Sequence, residues 1–334
     1  MTICIVGNSS ETALEQSYKR AFEALGHAVS IYDIEKRAGD FVRFGRLGLV
    51  FNQYITVEAW RQKLNRDLAL SLRTAQPDLV LVVGNARITF STLAFVKSVH
   101  ACLFVLLWPD PLTSLQSHVR ESAALYDCVA TYSQASVPMF RRLGFTNPHW
   151  VPLAADPSLH GYQPTGDEFR YDFSFVGDWR PERERALAVL ATQFSERKLG
   201  IWGTNWQRSK SPALKPHLHL TPLRGRDCAR LFGQSRLNLN LIDATGYPAA
   251  NMRFFEILIA RGLQVVSACP EMADTFLPDE HALYFDTDES LCVVVDNALR
   301  TPTLMAEIRQ RGYERVQQGH TYLHRAEQLL SLLF

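Results

Sequence analysis

Charge of one sign is the first thing this chain lacks. Its 35 Lys and Arg stand against 34 Asp and Glu, a net charge of +1, which excludes a basic nucleic-acid stripe or an acidic tail as the basis of function. Basic residues gather only locally, notably from Arg180 to Arg185. Cysteine is also sparse. Cys4, Cys102, Cys128, Cys228, Cys269 and Cys292 form no CxxC pair and mostly sit inside apolar runs. They read as small buried hydrophobes of a reduced, cytoplasmic protein rather than as a disulfide frame. The longest apolar run, Ala101 to Trp108, is too short to span a bilayer. The opening Met1 to Gly7 lacks the basic and long apolar segments of a secretion signal. His217 and His219 have no third ligand nearby, so no metal is expected. A GxSxG elbow is missing. So is GxGxxG: the first strand ends instead in Gly7-Asn8-Ser9-Ser10.

What is present is an alternation of strand and helix. Thr2–Val6, Ala28–Tyr32, Leu79–Val83, Cys102–Leu107, Cys128–Thr131 and His149–Val151 read as strands. Several are apolar at nearly every position, the mark of a parallel sheet covered on both faces. Helices are expected at Thr12–Leu25, Val57–Ala75 and Thr89–Val99, with Asp33–Gln53 irregular. Val151–Asp172, with three prolines and two glycines, reads as a linker. The pattern then restarts with strands at Phe173–Val176, Lys198–Trp202, Leu237–Leu241, Gln264–Ser267 and Leu283–Phe285. The fold class is therefore α/β, with two doubly wound Rossmann-like domains, 1–155 and 156–334, and an interdomain cleft. The final helix, from Tyr322, is free to cross back onto the first domain.

Two segments carry candidate chemistry. In Asn251-Met252-Arg253-Phe254-Phe255-Glu256 a polar loop opens a helix, where free N–H groups and the dipole favour an anion. Glu256 stands one turn further in, placed for sugar hydroxyls, so the pair suits a nucleotide that carries a sugar. The competing reading is an exposed i,i+3 ion pair of Arg253 with Glu256. In Gly177-Asp178-Trp179-Arg180-Pro181-Glu182-Arg183-Glu184-Arg185 a strand ends at glycine and a helix follows. Arg180 and Arg185 suit a diphosphate, whereas Glu182, Arg183 and Glu184 read as a solvated, mutually supporting face. Trp202 and Gly203 are candidates for a base contact, with packing of both Trp202 and Trp206 as the alternative. Gly7, Asn8 and Ser9 are expected to line the cleft, or else to form a plain turn capped by Ser9 or Ser10. Asp110, stiffened between Pro109 and Pro111, is a candidate general base or a turn residue.

Phe175 to Arg183, Leu237 to Leu241, and Asn251 to Glu256 with Gly262 and Val265-Val266-Ser267, together resemble the CgeB-like glycosyltransferases, relatives of glycosyltransferase family 1/4 with the GT-B fold. Gln76 to Val82, Trp108 to Pro111, and Tyr132-Ser133 through Gly144 to Pro157 are similar to the same family, so the resemblance covers most of the chain. It implies transfer of a sugar from a nucleotide-diphosphate sugar (UDP-, GDP- or dTDP-linked) to an unknown glycan, protein or small-molecule acceptor, without metal or other cofactor. It assigns Glu256 to the ribose, Arg180 and Arg185 to the diphosphate, and Asn251 and Arg253 to phosphate or sugar; Gly177, Trp202, Gly203 and Tyr247 are further candidates for the donor site, read from their own segments. One departure is clear. The family's E-x7-E pair lacks its first Glu, because Pro248 stands there. The alternatives are a sugar-nucleotide epimerase of the same architecture and a non-catalytic nucleotide-binding protein on a degenerate frame.

Overall fold

The computed structural model describes residues 1–41, 58–164 and 169–334. The chain divides into two compact units. One comprises Met1–Pro152 with Arg325–Phe334, the other Leu153–His324.

The first unit holds β1 (Thr2–Gly7), β2 (Ala28–Asp33), β3 (Leu79–Val83), β4 (Leu103–Trp108), β5 (Cys128–Thr131) and β6 (Pro148–Trp150). They form one parallel sheet in the order β2-β1-β3-β4-β5-β6. Ile5, Val6, Leu79 to Val82 and Phe104 to Val105 are fully buried, as strands flanked by helices on both faces require. Edge strand β2 alternates in exposure instead. Ile34–Phe41, expected to be irregular, is a helix that packs on Glu58–Ala75; the rest of the segment expected to be irregular, 42–53, lies outside the described residues. The last helix, Tyr322–Leu333, ends in this unit. There Arg325 is buried and donates to the Pro152 carbonyl at 2.8 Å, and Gln328 donates to that of Trp150 at 3.1 Å.

The second unit holds β7 (Tyr171–Val176), β8 (Leu199–Trp202), β9 (Leu218–His219), β10 (Ser235–Asn240), β11 (Gln264–Ser267) and β12 (Leu283–Phe285). Their order is β12-β11-β10-β7-β8-β9, again all parallel. The chain runs outward from β7 through β8 and β9, then returns to lay β10 on the other side of β7. The junction of β7 and β10 is therefore the topological switch point, where the loops after two adjacent strands diverge and leave a crevice at their carboxyl ends. In the first sheet the switch lies between β1 and β3. Leu153–His160, inside the expected linker, is packed structure: the short helix Pro157–His160 lies against helices Gly225–Gly233 and Met252–Ile259. All six cysteines are free, and five of them are buried.

Among the described residues, no helix is long and apolar enough to cross a membrane.

Candidate functional site

The carboxyl edge of the second sheet is built at the switch point. After β7 come Gly177 to Arg180 and then helix Pro181–Gln193; after β10 come Asp243 to Ala250 and then helix Met252–Ile259. Arg183 ties the two loops together. Its Nε donates to the Leu241 carbonyl at 3.1 Å, Nη1 to the Asp178 carbonyl at 3.0 Å, and Nη2 meets Asp243 Oδ2 at 3.3 Å. Burial lowers the Arg183 pKa, against which Asp243 raises it. Glu184 organises the neighbouring loop. It accepts from Trp179 Nε1 at 2.6 Å, Ser209 Oγ at 2.9 Å, and the backbone N–H groups of Lys210 and Ser211 at 2.8 and 2.9 Å. From their spacing alone Arg183 and Glu184 read as a solvated face. Their partners come from distant loops, which no local spacing reveals.

Arg180 differs from its neighbours. It is exposed, and it has no ion-pair or hydrogen-bond partner for its side chain among the described residues. It occupies the N-cap of helix Pro181–Gln193 with no side-chain cap, so the first-turn N–H groups are left open. Helix Met252–Ile259 is the opposite case. Asn251 Oδ1 caps it by accepting from Phe254 N at 3.1 Å, and Asn251 also exchanges amide hydrogen bonds with Asn240 at 3.1 and 2.8 Å. The expected anion grip at Asn251 is thus largely satisfied from within, and the open helix start is the one behind Arg180.

Arg253 and Glu256 do pair at i,i+3, but with Glu256 buried and Arg253 half-buried rather than on an exposed face as in the competing reading. The Glu256 side chain is only 3% exposed and is held by Arg253 Nη1, while His160 Nε2 lies 3.4 Å from its other oxygen. Burial alone would raise the Glu256 carboxyl. The Arg253 charge, the His160 imidazole and the Arg253 hydrogen bond outweigh that and hold it below the usual range. Arg253 Nε reaches back to the Val176 carbonyl at 3.4 Å, so the cluster is fastened to the end of β7. His160 was invisible to sequence motifs because it comes from the segment read as linker.

The remaining expected donor residues separate. Arg185 is 70% exposed and paired with Asp288 at 2.6 Å, on the side of helix Asp288–Arg300, and is not drawn to Arg180. Trp202 is buried, with its ring stacked 4.2 Å from His219 and edge-on to Tyr171, so packing takes the surface a base would need. Trp206 is fully buried and donates to the Gly177 carbonyl at 2.8 Å. Gly203 has φ +151, and any Cβ there would collide with that same carbonyl, so its role is close approach of two loops. Tyr247 is 59% exposed on the loop after β10.

At the carboxyl edge of the first sheet, the loop Gly7-Asn8-Ser9 is closed by its own carboxylates. Asn8 N donates to Glu15 Oε1 at 2.7 Å, and Ser9 donates to Asp33 Oδ2 from N at 2.9 Å and Oγ at 2.5 Å. A Cβ on Gly7 would overlap the Glu15 carboxylate. Neither Ser9 nor Ser10 caps the helix, which starts at Leu14 behind Ala13. Asp110, just beyond β4, is exposed and has no hydrogen-bond or ion-pair partner among the described residues. The protein atoms crowded around its carboxyl group still raise its pKa, through desolvation. Gly84, at φ +57, lies beside it: a Cβ placed there would be 3.9 Å from Asp110 Oδ2.

Comparisons with known proteins agree with this architecture. Residues 180–331 match a family model described as "Glycosyl transferase-like". No curated protein sequence matches. Three solved structures align over essentially the whole chain. Sucrose-phosphate synthase from Thermosynechococcus elongatus is 12% identical, with 100% of this chain and 98% of that one covered at TM-score 0.68. HepE of Anabaena in complex with UDP-glucose is 11% identical, with 100% and 99% covered at TM-score 0.69. A glycosyltransferase from Rickettsia africae is 10% identical, with 99% and 97% covered at TM-score 0.69. The chain has the GT-B fold, and the match of residues 180–331 to the glycosyl transferase-like model supports an enzyme of the transferase class.

Proposed function

We propose that this protein transfers a sugar from a nucleotide-diphosphate sugar to an acceptor hydroxyl, as its CgeB-like resemblance implies, with the donor at the carboxyl edge of the second sheet. The observation that carries this reading is Arg180: an exposed, unpaired guanidinium at an uncapped helix start, beside the switch point of β7 and β10. A diphosphate there meets a bidentate cation and open N–H groups together. That pair would take up the charge that develops on the leaving diphosphate. Arg183 and Arg253, already tied to Asp243 and Glu256, would hold the two loops rigid around it.

The ribose is assigned to Glu256. A carboxylate offers about four acceptor positions, and Arg253 and His160 occupy two. Tyr247, exposed on the loop after β10, would flank the sugar. UDP-linked sugars come first among the candidate donors, because the HepE structures of the same fold hold UDP and UDP-glucose. Charge neutralisation by arginine and helix dipole makes the reaction independent of metal in this reading. Asp110 is assigned the acceptor proton. Its raised pKa and lack of a partner suit a general base more than a fixed turn residue.

Thermal-shift measurements with UDP, GDP and dTDP and their glucose conjugates test the proposal. A ligand at one hundred times its Kd adds about 2.7 kcal/mol of stability. Selective stabilisation by one nucleotide, followed by sugar transfer from it with chelator present, is expected. If no nucleotide raises the melting temperature, the donor reading is wrong.

A further inference from the structure

We infer that Asn240 is a positioning residue of the donor site: with Gln264 it fixes the start of helix Met252–Ile259 and, through that helix, the carboxylate of Glu256. The inference rests on the donor reading above. Its ground is a closed ring of amides behind the carboxyl edge of the second sheet. Asn240 is buried at the end of β10, and Gln264 is buried at the start of β11. Asn238 is buried two residues before Asn240 on the same strand, so both side chains leave β10 on one face.

The ring passes through four residues. Asn240 Nδ2 donates to Asn251 Oδ1 at 3.1 Å and to Gln264 Oε1 at 3.4 Å, while Asn240 Oδ1 accepts from Asn251 Nδ2 at 2.8 Å. Asn251 Oδ1 in turn accepts from the Phe254 N–H at 3.1 Å, and Gln264 Nε2 donates to the Phe254 carbonyl at 3.3 Å. Both backbone polar groups of Phe254 are thereby held by side chains that meet at Asn240. Phe254 stands between Arg253 and Glu256 in the chain, so the ring sets the turn that carries both.

Stability alone does not call for amides here. An internal hydrogen bond returns little net stability over one to water, and an apolar side chain of similar size would serve the core at least as well. What a fully matched ring adds is a single geometry, because any shift leaves a buried donor or acceptor unmet. Arg253 ties the same turn to the Val176 carbonyl of β7 at 3.4 Å, and Asn240 ties it to β10. The two strands that meet at the switch point thus fix the helix from two sides. A carboxylate displaced by about 1 Å no longer meets the hydroxyls of a bound ribose. Asn238 is the contrast. It accepts from Ser174 Oγ at 2.7 Å and donates to the carbonyls of Phe232 and Leu263 at 3.1 and 3.2 Å, none of them on helix Met252–Ile259. It fastens the sheet and helix Gly225–Gly233, and the donor turn does not depend on it.

The test is calorimetric titration of the full chain with UDP and, separately, with inorganic pyrophosphate, which has the diphosphate but no ribose. GDP or dTDP takes the place of UDP if the thermal-shift comparison selects it. Asn240→Ala is expected to weaken the nucleotide by about tenfold, the scale of one charged hydrogen bond, and to leave pyrophosphate within about twofold of wild type. Gln264→Met, which keeps the length and loses the amide, should act in the same direction and covers the event that Asn240→Ala fails to fold. Asn238→Ala is the control: its melting temperature falls, and its nucleotide affinity stays that of wild type. Nucleotide affinity kept in folded Asn240→Ala or Gln264→Met would overturn the inference. So would equal losses for nucleotide and pyrophosphate, or a loss as large in Asn238→Ala, since a general loosening of the unit produces both. Absence of nucleotide binding in the wild type is a different result: it refutes the donor reading itself, and the inference goes with it.

Discussion

Two carboxylates mark the two carboxyl edges, and they are built in opposite ways. Glu256, in the second unit, is buried and held by Arg253 and His160, and its pKa is driven down. Asp110, in the first, is exposed and unpartnered, and its pKa is pushed up. The same functional group is a fixed anion in one place and, in the other, an exposed carboxyl whose pKa desolvation raises. The difference lies in what is packed around each, not in the residue. The cations divide similarly: Arg183, Arg185 and Arg253 are committed to carboxylates, and Arg180 is not.

The largest expected effect breaks the buried half of this contrast. Glu256→Gln leaves Arg253 and His160 without their anion, and loss of one partner from a buried pair costs about 3–5 kcal/mol. Chemical denaturation should show that loss at neutral pH. Because the folded pKa of Glu256 is lowered, its stabilisation is complete above the ordinary value of 4.5 and is lost as pH falls through the lower folded value. The difference in stability between wild type and Glu256→Gln should therefore shrink in acid. A difference that stays constant would contradict the assignment.

Asp110→Asn addresses the other half. Turnover should fall roughly 10²–10⁴-fold, with unchanged donor affinity and melting temperature. A base must be deprotonated, so the rising limb of kcat/KM should lie above the ordinary carboxylate value of 3.8. Donor affinity falling together with turnover would return Asp110 to the status of a turn residue.

Arg180→Met should weaken nucleotide binding by about 1.5–3 kcal/mol, the scale of a charged hydrogen bond, without a change in stability. The reverse pattern, stability lost and affinity kept, would show that Arg180 supports the fold rather than a ligand. Arg185→Met is expected to have the smallest effect: its exposed pair with Asp288 is screened by solvent. If Arg185→Met reduced nucleotide affinity as much as Arg180→Met does, the two arginines would share one diphosphate after all.

Local chemistry was enough to place most strands and the Arg253–Glu256 spacing. Continuous apolar runs such as Leu79 to Val82 bury on both faces wherever they pack, and i,i+3 neighbours on a helix meet whatever lies around them. It was also enough to mark Gly177 and Arg180 as a strand end and a helix start. What it did not contain was the allocation of partners. Arg183 reaches Leu241 and Asp243, Glu184 reaches Lys210 and Ser211, His160 reaches Glu256, and His219 covers Trp202. Each of these contacts joins residues 17 or more positions apart and depends on the strand order of the second sheet. Strand order is set by packing over the whole unit, not by any one segment. Only after that order exists is it decided which charges are spent on the fold and which, like those of Arg180 and Asp110, are left without a partner among the described residues.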